Sequence, residues 1–145
     1  MNKEDVMEIK IEIPGVQEMK LIVRYIKEFM LDDEGLEREQ FIIARINNTL
    51  VGFGRLRQHP DCVELCTLGV LTEYRGKGIG KKLVEELIKR TSSKLYLVCI
   101  IPGFFQKLDF EIVKEVPPSI VRKYEICTTK LKVAEPYYMM RLEES

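Results

Sequence analysis

Apolar and polar residues alternate along the chain with two different periods. Ile9, Ile11 and Ile13 alternate with Glu8, Lys10 and Glu12, which predicts a half-buried strand over residues 7–13, stopped by Pro14-Gly15. The period then lengthens. Met19, Ile22, Val23, Ile26, Phe29 and Met30 recur at helical spacing opposite Glu18, Lys20, Arg24, Lys27 and Glu28, so residues 16–30 read as an amphipathic helix. Leu31-Asp32-Asp33-Glu34-Gly35 closes it, and residues 36–40 form a short helical turn or loop. Strands follow at 41–46 and 50–56, joined at Asn47-Asn48. The turn Gln58-His59-Pro60-Asp61 leads into a third strand, 62–71.

The second half alternates strands with helices. After a glycine-rich stretch, Leu83, Val84, Leu87 and Ile88 mark a helix reaching to about residue 90. Residues 95–101 are wholly apolar, as expected of a central strand covered on both faces. Pro102-Gly103 opens a short helix over 104–108, residues 110–116 form a strand, Pro117-Pro118-Ser119 starts a helix through about 124, and 137–142 is the last strand. The pattern is an α/β sheet of about seven strands with a mainly antiparallel first half. Without repeats or a linker, the 145 residues are expected to form one domain, 1–145, large enough to bury a core.

The glycine-rich stretch carries the chemistry. Gly76, Gly78 and Gly80 alternate with Arg75, Lys77, Ile79 and Lys81 between an apolar strand and a helix. The first amides of a helix lack intrahelical partners, and the aligned peptide dipoles place about half a positive charge there. Adding Arg75, Lys77, Lys81 and Lys82 to that end makes sense when a strongly anionic group docks there, such as a pyrophosphate. A P-loop is excluded because position 75 is Arg and Lys82 stands where Ser or Thr is required. A dinucleotide fingerprint starting at Gly76 would need glycine at Lys81.

What fits is Arg75-x-x-Gly78-x-Gly80 after Leu68-Gly69-Val70. This resembles the GCN5-related N-acetyltransferase (GNAT) family, whose turn for the pyrophosphate of coenzyme A has this form. The resemblance implies a GNAT-like mixed sheet flanked by helices, in which the parallel strands equivalent to 62–71 and 95–101 splay apart around acetyl-CoA. It implies that Arg75, Gly76, Lys77, Gly78, Ile79, Gly80 and Lys81 hold the pyrophosphate. Backbone groups of Leu68, Gly69 and Val70 would line the pantetheine arm, and the Val70 amide would polarise the acetyl carbonyl. Gly69 suits close backbone approach.

Acetyl transfer to an amine also needs a proton acceptor. Glu64 is the carboxylate in a strand of otherwise apolar or small residues, Cys62, Val63, Leu65, Cys66 and Leu68. Burial would raise its proton affinity. In the family motif F-Y-x-K-x-G-F a tyrosine protonates the leaving thiolate. Here Phe104-Phe105-Gln106-Lys107-Leu108-Asp109-Phe110 places Phe105 at that position, where it counts among the cofactor-binding residues but has no proton to give. Tyr137 and Tyr138 are substitutes for it.

Glu64-Leu65, the Phe104-Phe105 doublet, and Val116-Pro117-Pro118-Ser119 followed by Tyr124 and Met139-Met140-Arg141-Leu142 look like the N-acetylglutamate synthase branch, over about residues 50–142. That similarity implies a stand-alone acetyltransferase domain and a small-molecule amine, glutamate among the options. Arg55, Arg57, Lys107, Arg122 and Lys123 are the candidate cations for an acidic acceptor. The alternatives are a protein N-terminal or lysine acetyltransferase and a non-catalytic acetyl-CoA sensor or interaction domain.

Composition narrows the partners. Basic and acidic side chains balance at 23 each, so neither nucleic acid nor an anionic membrane is expected. No apolar run approaches the roughly 20 residues of a membrane span, and the early Glu4, Asp5 and Glu8 are unlike a signal peptide, which together predict a cytoplasmic protein. Cys62, Cys66, Cys99 and Cys127 lack a C-x-x-C pair, so no metal is expected. His59, the sole histidine, reads as a solvated turn residue. A homodimer is an option the sequence does not specify.

Overall fold

The computed structural model describes residues 8–130 and 133–143. In chain order the elements are β1 (Ile9–Glu12), α1 (Val16–Glu28), β2 (Phe41–Ile46), β3 (Thr49–Gln58), β4 (Val63–Val70), α2 (Ile79–Lys89), β5 (Leu95–Cys99), α3 (Pro102–Gln106), β6 (Phe110–Ile112), α4 (Pro118–Lys130) and β7 (Tyr138–Leu142). Single turns of 3-10 helix cover Arg38–Gln40 and Thr72–Tyr74. The seven strands form a mixed sheet in the order β1-β2-β3-β4-β5-β7-β6, flanked by the four helices, as the α/β expectation required. Met7, the expected start of β1, lies outside the described residues.

Two elements differ most in length from the sequence pattern. Helix α4 runs to Lys130, past the expected end at 124. Thr128 and Thr129 look like helix breakers, but their hydroxyls donate to the carbonyls of Tyr124 and Glu125 one turn back, at 2.9 and 2.7 Å. Cys127 is buried and gives the last turns an anchor. Strand β6 ends at Ile112, because its partner β7 supplies only the pairs Phe110 with Leu142, Glu111 with Arg141 and Ile112 with Met140.

The chain folds into two compact units, one running up to Arg55 and including Thr67–Leu87, the other made of Leu56–Cys66 and the residues from Ile88 onward. In the first unit α1 covers a core of Ile22, Ile26, Phe41, Ile43, Leu50 and Phe53. Burying an aliphatic side chain of this kind contributes roughly 1.5–3 kcal/mol, so Ile22 and Ile26 alone anchor the helix. Leu50 and Phe53 share that face because β3 is bulged. Gly52 pairs with Ala44 and Leu50 with Arg45, which leaves Val51 as an extra residue and flips the pleat. Helix α2 lies against Gly52 and Gly54, where an added Cβ would come within 3.0 Å of Leu83 and 3.1 Å of Leu87.

In the second unit β5 pairs antiparallel with β7, which in turn pairs with β6. The parallel pairing of β4 with β5 takes in Val63 with Leu95 and Glu64 with Tyr96. Helix α4 packs on β5 and β7, and Ile120, Tyr96 and Cys62 make the core beneath it with Val98, Val116 and Met139. Asp109 takes a left-handed conformation, φ +70°, at the motif position where glycine is usual, and its carbonyl accepts from the Glu143 amide at 2.9 Å. Aspartate tolerates that backbone and so completes the turn into β6.

Candidate active site

In the first unit, the chain leaves β4 at Val70 and is fixed at once: the Leu71 amide donates to the carbonyl of the bulged Val51 at 2.8 Å. A 3-10 turn follows, then Arg75. Gly76 and Gly78 are both left-handed, with φ +79° and +83°, and α2 begins at Ile79 with its first bond from the Lys82 amide to the Gly78 carbonyl. Left-handed residues alternating with ordinary ones turn successive amides toward one side and make an anion-binding concavity. A Cβ at Gly76 or Gly78 would meet nothing within 4 Å. Glycine is therefore needed there for its backbone angle, and the space a side chain would fill is open to a ligand. Arg75 donates from Nε to the Val70 carbonyl at 2.9 Å, and its guanidinium lies 5.1 Å over the Phe29 ring.

The end of β4 is shaped by a residue that composition did not single out. Thr67 has φ +55°, a left-handed kink inside a strand at a β-branched residue. Its hydroxyl accepts from Arg55 Nε at 2.7 Å and donates to the Asp32 carbonyl at 3.0 Å. Arg55 is fully buried, and its remaining donors go to Gln40 Oε1 at 2.8 Å, to the carbonyls of Glu34 and Gly35, and to the carboxylate of Asp32 at 3.4 Å. A guanidinium so committed cannot meet an acceptor's carboxylate, so Arg55 leaves the set of candidate cations. Gly69 also has a packing reason: a Cβ there would lie 2.6 Å from the tip of the Phe53 ring.

In the second unit, Glu64 is fully buried but has partners that its own strand does not reveal. Lys123 Nζ donates to its Oε2, and His59 Nε2 lies 2.8 Å from its Oε1. The ammonium favours the ionised carboxylate. Lys123, too, is thereby removed from the candidate cations for an acceptor. The turn holding His59 is closed by the His59 amide on the Cys62 carbonyl at 2.8 Å. Its Asp61 accepts from the Ser119 amide at 3.0 Å and so caps α4, and this contact holds the Asp61 carboxyl below the usual range. Ser119 and Lys123 lie one helical turn apart, so the same turn that carries His59 fixes the helix that carries Lys123.

Phe105 is buried, edge-on to Phe104 at 5.0 Å and to Phe110 at 5.6 Å, and it packs α3 against β6. Tyr137 is half-buried just before β7, with its phenol pushed up by burial, by the neighbouring Cys127 and by Glu135, against the opposing charge of Lys123. Burial, followed by Asp61, pushes the Cys62 thiol up to about 12, and burial pushes Cys99 to about 11. Neither offers a thiolate nucleophile near neutrality.

A model of the acetyltransferase (GNAT) family matches residues 4–110. The chain belongs to this family. Among curated relatives, the uncharacterized protein YyaT of Bacillus subtilis is 36% identical over 91 residues, 59% of this chain and 62% of that protein. The L-2,4-diaminobutyric acid acetyltransferase of Halalkalibacterium halodurans is 38% identical over 55 residues, 36% of this chain and 29% of that protein. The GNAT chain thus spans less than two thirds of either relative. Among solved structures, N-acetylglutamate synthase from Neisseria gonorrhoeae, complexed with coenzyme A and L-arginine, superposes with a TM-score of 0.74 at 19% identity, over 94% of this chain and 34% of that one.

Within the GNAT chain the predicted residues fall into separate groups. Leu68, Gly69, Val70 and residues 75–81 lie together in the first unit, while Glu64 and Phe105 belong to the second. Sequence reasoning missed the kink at Thr67 and treated His59 as solvated. No local pattern announces either one, because their partners come from residues 32–40 and from α4.

Proposed function

We propose that residues 1–145 act as one acetyl-CoA-dependent N-acetyltransferase domain whose acceptor is the primary amine of a small molecule. The observation that carries this reading is the pair of left-handed glycines, Gly76 and Gly78, before α2, whose Cβ positions lie in open space and which are interleaved with Arg75, Lys77 and Lys81. Coenzyme A presents a pyrophosphate of matching charge, and the gonococcal neighbour is complexed with it.

Bound acetyl-CoA supplies a thioester acetyl group. Amides of residues 76–81 hold its pyrophosphate, and the backbone of Leu68, Gly69 and Val70 runs along the pantetheine arm. The Val70 amide donates to the acetyl oxygen as negative charge develops there. The amine nitrogen forms a bond to the acetyl carbon, the carbon–sulfur bond breaks, and the sulfur leaves as a thiolate that takes a proton. Glu64 accepts the proton the amine must lose. Tyr137, whose phenol stays protonated at neutral pH, is the tyrosine suited to supply the thiolate in place of Phe105.

Glutamate remains one acceptor to test. It is less favoured than the sequence suggested, since Arg55 and Lys123 are committed elsewhere. L-2,4-Diaminobutyrate, a small acceptor with a second amine, is named by the shorter curated match. Thiol release from acetyl-CoA with L-glutamate, L-2,4-diaminobutyrate and a short peptide decides among them. Turnover with an amino acid supports the reading, turnover only with the peptide reassigns the acceptor, and coenzyme A binding without any turnover makes the domain a sensor.

A further inference from the structure

We infer that Arg75 serves the acetyl-transfer step and not the pyrophosphate: seated on the ring of Phe29, it is the positioning residue that presents the Val70 amide to the acetyl oxygen. The inference rests on the proposed role of that amide and names the side chains that hold it in place.

Its basis is that the Arg75 head is committed on two sides. Nε donates to the Val70 carbonyl at 2.9 Å, and the guanidinium lies 5.1 Å over the Phe29 ring. Phe29 is itself fixed. It closes the C-terminal end of α1, where its amide donates to the Tyr25 carbonyl at 2.8 Å and the Leu31 amide reaches back to the Ile26 carbonyl at 2.9 Å. Its ring stacks on Tyr25, 5.7 Å between centroids, and packs against the core of the first unit. A planar guanidinium laid on an aromatic face loses little freedom when it donates. Arg75 thus ties one backbone carbonyl of β4 to the end of α1.

Strand geometry makes that carbonyl matter. The amide and carbonyl of one extended residue point to the same edge of the strand, and successive residues alternate edges. Leu71 gives its amide to the Val51 carbonyl of β3 at 2.8 Å, so Val70 turns both its amide and its carbonyl to the edge that β3 leaves open. An acetyl oxygen accepted by the Val70 amide therefore sits beside the Val70 carbonyl oxygen, and the two repel as the acetyl oxygen gains negative charge. A cationic donor on that carbonyl offsets the repulsion, and it does so most where the charge is greatest, in the transition state. The peptide between Val70 and Leu71 is also held at both ends, its carbonyl by Arg75 and its amide by Val51, which restricts rotation at Val70. Lys77, Lys81 and the amides of the glycine turn are left for the pyrophosphate.

The positioning role is tested with the parent protein, Arg75→Met, Phe29→Leu and Phe29→Tyr. Each is measured for kcat with acetyl-CoA and whichever of L-glutamate, L-2,4-diaminobutyrate or the peptide the parent turns over fastest, for coenzyme A affinity by calorimetry, and for thermal unfolding. Arg75→Met should lower kcat at saturating acetyl-CoA by about 10–10²-fold, while coenzyme A affinity stays within about threefold of the parent. Phe29→Leu should lower kcat by about fivefold, and Phe29→Tyr, which offers the same ring face, should stay within about twofold of the parent. Arg75 is exposed, so Arg75→Met should unfold near the parent temperature.

If Arg75→Met weakens coenzyme A by more than about threefold, Arg75 is a ligand of the cofactor, and the inference is overturned with the acetyltransferase reading intact. Parent values of both kcat and affinity in Arg75→Met overturn it equally. Should Arg75→Met unfold below the assay temperature, the Phe29 pair decides: a loss in Phe29→Leu that Phe29→Tyr does not share supports the seat. Equal turnover in Phe29→Leu and the parent overturns the seat in either case. A parent that binds coenzyme A and turns over no amine removes the reaction itself, and the positioning role with it.

Discussion

The glycine turn and the Glu64 cluster solve opposite problems. The turn makes a site from consecutive residues and mostly from backbone, with two left-handed glycines aiming amides outward. The cluster makes a site from side chains that lie far apart in sequence, 59, 64 and 123, held by one hairpin turn and one helix. A backbone site is specified by what is absent, namely Cβ atoms, and tolerates many residue types between the glycines. A side-chain site is specified by what each partner supplies, and removing one member strands the others.

That contrast can be broken from either side. Glu64→Gln should have the largest effect, a fall in turnover of about 10²–10⁴-fold. Coenzyme A affinity by calorimetry should stay near the parent value, and a parallel loss of affinity would mean the two sites are not separable in function. Arg55→Met comes next. It takes away the donor that Thr67, Gln40 and the carbonyls of Glu34 and Gly35 share, along with the cation beside the Asp32 carboxylate, and should cost about 3 kcal/mol in urea unfolding. A loss near zero would show that the kink at Thr67 holds itself.

Gly78→Val tests the other side, since a β-branched residue at φ +83° is strained by about 2 kcal/mol. If the turn rearranges to relieve that strain, coenzyme A should bind roughly 30-fold more weakly, whereas unchanged affinity would remove the pyrophosphate from this turn.

Asp61→Asn should have the smallest effect. The folded state holds the Asp61 carboxyl below its usual range, so its stabilising share is present above that range and is lost as pH falls through the folded value. The parent should therefore lose stability on acidification more steeply than the variant, as thermal unfolding at pH values from the usual aspartate range downward would report. Equal slopes would show that the cap of α4 does not depend on charge.

The same contrast explains what could be read from the sequence. Among the described residues most strands and helices follow from periodicity, because an element that buries one face records its period, while β5 was legible as an unbroken apolar run. The glycine turn was legible because glycine at alternate positions has few other uses. Glu64 was noticed for being a carboxylate among apolar residues. The pairing that makes it an ordered charge was not visible, since Lys123 sits in a helix read as ending one residue later and His59 in a turn that looked solvated. Arg55 failed for the same reason: a long cation on a strand looks exposed until the loop at 32–40 is seen to wrap its head. Buried polar networks depend on tertiary contacts, and hydrophobic periodicity carries no record of them.

Gly69 and Phe53 fill one space between them, the ring tip occupying the volume a methyl group at 69 would need. Position 69 cannot grow while position 53 keeps its ring. In a collection of related chains, any enlargement at 69 should therefore be inherited together with a shorter side chain at 53. The double substitution Gly69→Ala with Phe53→Leu should be viable where Gly69→Ala by itself is not.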